Sequence, residues 1–100
     1  MVLKEIVVRL WWQAKIKVWQ VRERIPGRGV LSTPGIPDLI GVAPGGKAIM
    51  LEVKRPGGAR RIAQTRFIAE AKASGAVAGF VDSWDACRGL FREHGIVLSA

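Results

Sequence analysis

Three charged side chains lie at the ends of two apolar segments: Asp38 begins the first, and Glu52 and Lys54 end the second. A Pro-Gly-Gly turn joins the segments, which predicts a β-hairpin folded about Gly45. In that register Asp38 pairs with Glu52, and the period-two alternation of a strand places both carboxylates and Lys54 on one face. Carboxylates about 5 Å apart across two strands repel each other unless a cation lies between them. A divalent cation bound by oxygen ligands would neutralise both carboxylates, and Lys54 could contact a molecule bound to that cation.

A simpler interpretation of these charges stays open. A strand end that frays into solvent accommodates Asp, Glu and Lys at little cost, because their charges remain hydrated there. The spacing of Asp38, Glu52 and Lys54 does not by itself distinguish such an end from a metal site.

Longer sequence features favour the metal site. Pro37-Asp38 followed by Glu52-Val53-Lys54 resembles the PD-(D/E)xK motif of the restriction-endonuclease-like superfamily. Several further segments, in the same order, resemble the virus-type replication-repair nuclease family (VRR-NUC). They are Gly35-Ile36-Pro37-Asp38, the Gly-containing turn, the Pro/Gly-rich link after Lys54, Gln64-Thr65-Arg66-Phe67, and Val81-Asp82-Ser83. The resemblance covers nearly the whole chain, and the ordered combination is more specific than any one segment.

The resemblance implies an α/β fold with a restriction-endonuclease-like core, in which helices flank a central mixed β-sheet in the order α-β-β-β-α-β-α. It implies a Mg²⁺-dependent nuclease, with Mn²⁺ expected to substitute. Asp38, Glu52 and the backbone carbonyl of Val53 would be the metal ligands. Lys54 would be catalytic, orienting the attacking water or stabilising the phosphate in the transition state.

Two further residues are candidates for the catalytic group. Gln64 shares a helical stripe with apolar residues, and a buried amide without partners costs about 1–3 kcal/mol, so it must find hydrogen bonds. In the family the matching Gln points into the site, although a Gln on a helix surface would show the same spacing. Glu5 lies beside Arg9, off the apolar stripe of the first helix. It matches a family glutamate that approaches the metal, but it could equally be a solvated side chain.

The overall charge favours a nucleic-acid partner. Sixteen Lys and Arg against eight Asp and Glu leave a net charge of +8 in 100 residues, the length of one small domain covering residues 1–100. A DNA-binding surface is predicted from Arg28, Arg55, Arg60, Arg61 and Arg66. Arg28 belongs to a turn-rich loop at 25–37, whose length is typical of functional loops. The single Cys87 excludes an internal disulfide and fits a reducing compartment.

The remaining elements follow from periodicity. Apolar residues at helical spacing over 3–14 predict an amphipathic helix, with Trp11 on its apolar stripe and Trp12 off it. Alternation over 17–24 predicts a strand beside the hairpin. Helices are predicted over 60–74 and from 84 to about 94, with a parallel strand at 76–81 between them. The segment 96–98 would be an additional edge strand. Most Trp residues are expected in the core.

Together these features predict a metal-dependent DNA endonuclease that acts as a homodimer on branched DNA such as a four-way (Holliday) junction, in DNA repair or recombination. This substrate and the dimer rest on analogy with related nucleases. The alternatives are a non-catalytic nucleic-acid-binding module of the same fold, or a nicking or restriction-type nuclease. The expected location is the cytoplasm, and a phage or virus gene is a conceivable source. No membrane partner is expected.

Overall fold

The two apolar segments around the Pro-Gly-Gly turn form the middle of a four-stranded sheet. The structure, a computed structural model, describes residues 2–21, 24–25, 29–30, 35–55 and 61–99. Its helices are α1 (Val2–Ala14), α2 (Ile62–Ala73) and α3 (Trp84–Arg92). Its strands are β1 (Val18–Gln20), β2 (Arg24–Ile25), β3 (Gly29–Val30), β4 (Leu39–Val42), β5 (Ala48–Val53) and β6 (Val77–Val81).

The sheet has the order β1-β4-β5-β6, with β6 parallel to β5 and the other neighbours antiparallel. The predicted α/β class, the mixed sheet and the order of its elements are therefore confirmed. The predicted hairpin register is also confirmed, with Val42 opposite Ala48 and Ile40 opposite Met50. Gly45 and Gly46 both have φ +87°, a conformation that glycine adopts without steric cost, so the turn sets this register.

Helices cover the two faces of the sheet. On one face α1 and α3 pack on the main core, which includes Ile6, Leu10, Leu39 and Leu51. On the other face α2 covers β5 and β6, where Ile68 packs with Ala76 and Ala78. None of the helices described here is long and apolar enough to cross a membrane.

Three sequence predictions need correction. The strand predicted over 17–24 contains only Val18–Gln20 in the main sheet. Within the described part of the loop predicted at 25–37, β2 and β3 form a two-stranded antiparallel ribbon. The segment 96–98 forms no strand. Instead two carbonyls at its end accept hydrogen bonds from α3: Arg88 Nε donates to Leu98 O at 3.2 Å, and Trp84 Nε1 donates to O of the following residue, Ser99, at 3.0 Å.

The tryptophans are less buried than predicted. Only Trp84 is buried, whereas the exposed fractions are 44% for Trp11, 71% for Trp12 and 51% for Trp19. Trp11 follows the apolar stripe of α1, but the core lies mainly under Ile6 and Leu10. Among the described residues α2 packs mainly on β5 and β6, and the side chain of Val42 on β4 is 59% exposed.

Candidate active site at the end of the central hairpin

Glu52 is a buried charged residue on β5, a central strand of the sheet. It lies near the end of β5, between β4 and β6, and is only 2% exposed. Alternation along β5 directs its side chain to the α2 side, as with Met50, whereas Leu51 faces the main core. A carboxylate at this depth is stable only if polar or charged groups compensate for its lost hydration.

Gln64 supplies one of these compensating groups. Its side chain is 4% exposed, and its Nε2 donates a hydrogen bond to Glu52 Oε1 at 3.1 Å. Its other amide atom, Oε1, accepts from the backbone N–H of Arg61 at 3.2 Å. Because the Arg61 N–H is a donor, it requires the amide oxygen, which leaves the NH₂ group for Glu52. The first turn of α2 is thus tied to the carboxylate, and Gln64 is not the surface amide that its spacing also allowed.

Lys54 contributes a positive charge next to the same carboxylate oxygen. Its Nζ lies 3.8 Å from Glu52 Oε1, and its side chain is 22% exposed compared with 3% for that of Glu52. The ammonium therefore stands between the buried acid and solvent. The backbone N–H of Lys54 donates to Val81 O at 2.9 Å, which continues the pairing of β5 with β6 to the edge of the site.

Asp38 is held against the same strand end from the opposite side. Its Oδ2 accepts from the backbone N–H of Val53 at 3.0 Å, and its own carbonyl accepts from Val21 N at 2.9 Å. Because Leu39 pairs with Leu51, Asp38 is in register with Glu52, as predicted. The carboxylate of Asp38 thus lies next to the residue that follows Glu52. Together Asp38, Glu52, Val53 and Lys54 form what we call the acidic rim.

The backbone of Val53 is oriented towards the Asp38 side of the rim. The N–H of Lys54 points to β6, and successive residues of a strand direct their N–H and C=O groups to opposite sides. The N–H and C=O of Val53 therefore point towards β4, and the hydrogen bond to Asp38 agrees with this. The carbonyl is accordingly on the side where the Asp38 carboxylate lies.

The oxygen ligands that the acidic rim offers suit a hard divalent cation. Two carboxylates and a backbone carbonyl are oxygen ligands of the type that Mg²⁺ and Mn²⁺ accept, and Mg²⁺ retains several waters, so few protein ligands suffice. No cluster of three or more His, Cys, Asp and Glu side chains able to hold a metal occurs within the described ranges. The predicted set has two such side chains, completed by a carbonyl.

The other predicted residues are less closely associated with the rim. Glu5 forms an ion pair with Arg9, with 3.2 Å between Glu5 Oε2 and Arg9 Nε, and no described contact joins it to Glu52. Arg55, Arg61 and Arg66 are exposed. Arg55 directly follows Lys54, and Arg61 directly precedes α2. Arg28 and Arg60 lie outside the described residues, as does most of the predicted loop at 25–37.

Sequence reasoning did not connect Trp19 with the rim. Trp19 pairs with Ile40, which pairs with Met50, so its side chain is on the face that also carries Glu52. The available signal was the alternation Lys17-Trp19-Val21, which already separated Trp19 from the buried Val18.

Comparisons with known proteins add no assignment for this chain. Searches against models of protein families and against curated proteins found no match.

Proposed function

We propose that the protein is a metal-dependent nuclease that hydrolyses phosphodiester bonds in DNA. The observation that carries the proposal is the nearly buried Glu52 carboxylate, which Gln64 holds from one side and Lys54 approaches from another, in register with Asp38. A strand end that merely frays into solvent would leave Glu52 hydrated, and this carboxylate is 2% exposed.

Each residue of the acidic rim has a role in this chemistry. Asp38, Glu52 and the Val53 carbonyl would hold the cation. A bound Mg²⁺ or Mn²⁺ lowers the pKa of its water and offsets charge on the phosphate. Lys54 donates hydrogen bonds to the attacking water or to a phosphate oxygen, and its partial exposure leaves it accessible to substrate. Gln64 keeps the Glu52 side chain in one orientation. Glu5 would be an outer residue of the site, as the family resemblance implies.

The charge distribution supports DNA as the substrate. The chain carries a net charge of +8. The exposed Arg55 directly follows the rim, the exposed Arg61 directly precedes α2, and the exposed Arg66 lies five residues after Arg61. Cations around a pair of acids allow a polyanion to approach a site that would otherwise repel it. A module that only bound nucleic acid would gain no affinity from the two carboxylates.

Action on branched DNA as a homodimer is the more specific part of the proposal. It rests on the resemblance to nucleases of this core and on the apolar surface of α1, where Trp11 and Trp12 are 44% and 71% exposed. Apolar patches of this kind are common at subunit interfaces. A molar mass equal to one chain at micromolar concentration would contradict the dimer without affecting the hydrolysis.

The test of hydrolysis is cleavage of labelled DNA with and without added Mg²⁺ or Mn²⁺. We expect cutting only with metal, and a loss of at least about 10²-fold in rate for Asp38→Asn, Glu52→Gln and Lys54→Ala, with DNA binding retained. Lys47→Ala, at an exposed lysine of the β4–β5 turn, is the matched control and should cut like the wild type. Cutting by the three rim variants at the control rate would place the site elsewhere.

A panel of linear, flapped, nicked and four-way DNAs would separate the alternatives. Preference for the branched forms supports a structure-selective enzyme, whereas equal cutting of linear duplex indicates a nicking or restriction-type nuclease. Binding to all of them without cutting at any metal concentration would indicate a non-catalytic binding module.

A further inference from the structure

β1, the edge strand next to β4 and the acidic rim, carries an exposed tryptophan. Trp19 is 51% exposed, and its Cα partner is Ile40 on β4. On this face α2 packs mainly on β5 and β6, and α1, the described helix that packs on β1, lies on the main-core side. The indole of Trp19 is therefore accessible on the same face as the carboxylate of Glu52.

Trp19 is close to the rim as well as on its face. Trp19 pairs with Ile40 of β4, and Asp38 lies two residues before Ile40. Trp19 and Asp38 are therefore diagonal neighbours across antiparallel strands, whose Cα atoms are typically about 7–8 Å apart. The hydrogen bond from Val21 N to Asp38 O ties the end of β1 to the rim. Since one nucleotide can span this distance, DNA with a phosphate held by a cation at Asp38 would bring a neighbouring base to Trp19.

The charges around this area favour a nucleotide over an apolar partner. Lys17, Arg55 and Arg61 are exposed near β1 and the rim, and the Lys54 ammonium is partly exposed at the rim. A large aromatic ring beside several cations is the combination that binds single-stranded nucleic acid, in which the ring stacks on a base and the cations contact phosphates. Bases within an intact duplex are stacked on each other and cannot use such a ring.

We propose that Trp19 is a stacking platform for an unpaired base next to the phosphate held at the acidic rim. The proposed hydrolysis places the phosphate there, so this inference rests on the proposed function for its geometry. It gives a physical basis for selecting DNA with unpaired nucleotides, such as flaps and junctions. Trp19 would act by positioning the substrate, since it is not among the residues that touch the reacting atoms.

The test is binding of short labelled DNAs, measured by fluorescence anisotropy with Mg²⁺ in a Lys54→Ala background, so that a phosphate can bind at the acidic rim without being cut. Lys54→Ala alone is the reference protein. Trp19→Leu, which keeps an apolar side chain but removes the ring, should weaken binding of single-stranded and flapped DNA by about 5- to 150-fold. It should change the affinity for blunt duplex less than about twofold. Trp19→Phe, which restores a ring, should recover much of the lost affinity.

Trp12→Leu is the matched control. Trp12 is more exposed, at 71%, but it lies on α1, which packs on the opposite face of the sheet. We expect this variant to bind every DNA like the reference protein. Circular dichroism of all variants checks that they are folded. If Trp19→Leu does not fold, Trp19→Phe, whose ring is smaller, tests the inference by a smaller loss of affinity for unpaired DNA.

Three results would overturn the inference: unchanged binding by Trp19→Leu, equal loss of affinity in the Trp12 and Trp19 variants, or equal loss on duplex and unpaired DNA. A change from dimer to monomer on substitution of Trp19 would also overturn it, because the ring would then contact a second copy. Selective loss of unpaired-DNA binding in a protein that never cuts would support the platform and reject the hydrolysis.

Discussion

The contact between Gln64 and Glu52 provides a quantitative test of the site. Gln64→Met keeps the length of the side chain and removes both amide hydrogen bonds. A hydrogen bond to a charged group contributes about 1.5–3 kcal/mol, and the bond from the Arg61 N–H contributes about 0.5–1.5 kcal/mol. Because Glu52 is almost fully buried, water cannot replace the lost donor. We expect the free energy of unfolding to fall by about 2–4 kcal/mol.

Urea denaturation followed by circular dichroism measures this loss. Gln13→Ala, on an exposed position of α1, is the matched control and should change stability by less than about 0.5 kcal/mol. A double-mutant cycle isolates the contact: in a Glu52→Met background, Gln64→Met should cost only about 1 kcal/mol, which leaves a coupling energy of at least about 1 kcal/mol. The same cost in both backgrounds would show that the amide stabilises α2 alone and does not hold the carboxylate.

Two further predictions concern other parts of the fold. Gly41→Ala should destabilise the protein by about 1–3 kcal/mol, because a Cβ there would lie 2.5 Å from Lys17 O. Gly89→Ala, in α3, should stabilise the protein by about 0.5–1 kcal/mol, because the added Cβ would have no atom within 4 Å apart from the neighbouring backbone of the helix. Equal changes in the free energy of unfolding for the two variants would contradict the close contact at Gly41. Burial raises the pKa of Cys87 from 9.0 to about 12. The thiol should thus resist alkylation at pH 8 until urea unfolds the chain, and its contribution to stability, complete below about pH 9, should be lost as the pH rises towards 12. Rapid alkylation of the folded protein, or Cys87→Ala showing the same loss of stability over that pH range as the wild type, would contradict the assignment.

Local patterns account for the parts of the fold that the sequence predicts well. The hairpin register follows from a glycine turn, since one turn sets every pair in both strands and alternation then sets their faces. The helix at 62–73 ends before Gly75 at φ +96°, and Ser83 Oγ caps α3 by accepting from Ala86 N at 3.0 Å. These signals depend only on residues a few positions apart.

Contacts between distant segments account for the parts that could not be predicted. The hydrogen bond of Gln64 to Glu52 requires α2 to pack on β5 and β6 with its first turn at the end of β5. The segment at 96–98 has the composition of a strand, yet its end is bound to α3, because Arg88 donates to the carbonyl of Leu98 and Trp84 to that of the following Ser99.

The amino-acid sequence was sufficient to predict the hairpin register that sets Asp38 opposite Glu52, with Lys54 two residues beyond, because turn geometry and side-chain alternation are local properties. The burial of Glu52, the amide that orients it and the exposure of Trp19 follow only from the assembled fold. They depend on which strands α2 covers, and that is a consequence of packing over the whole domain.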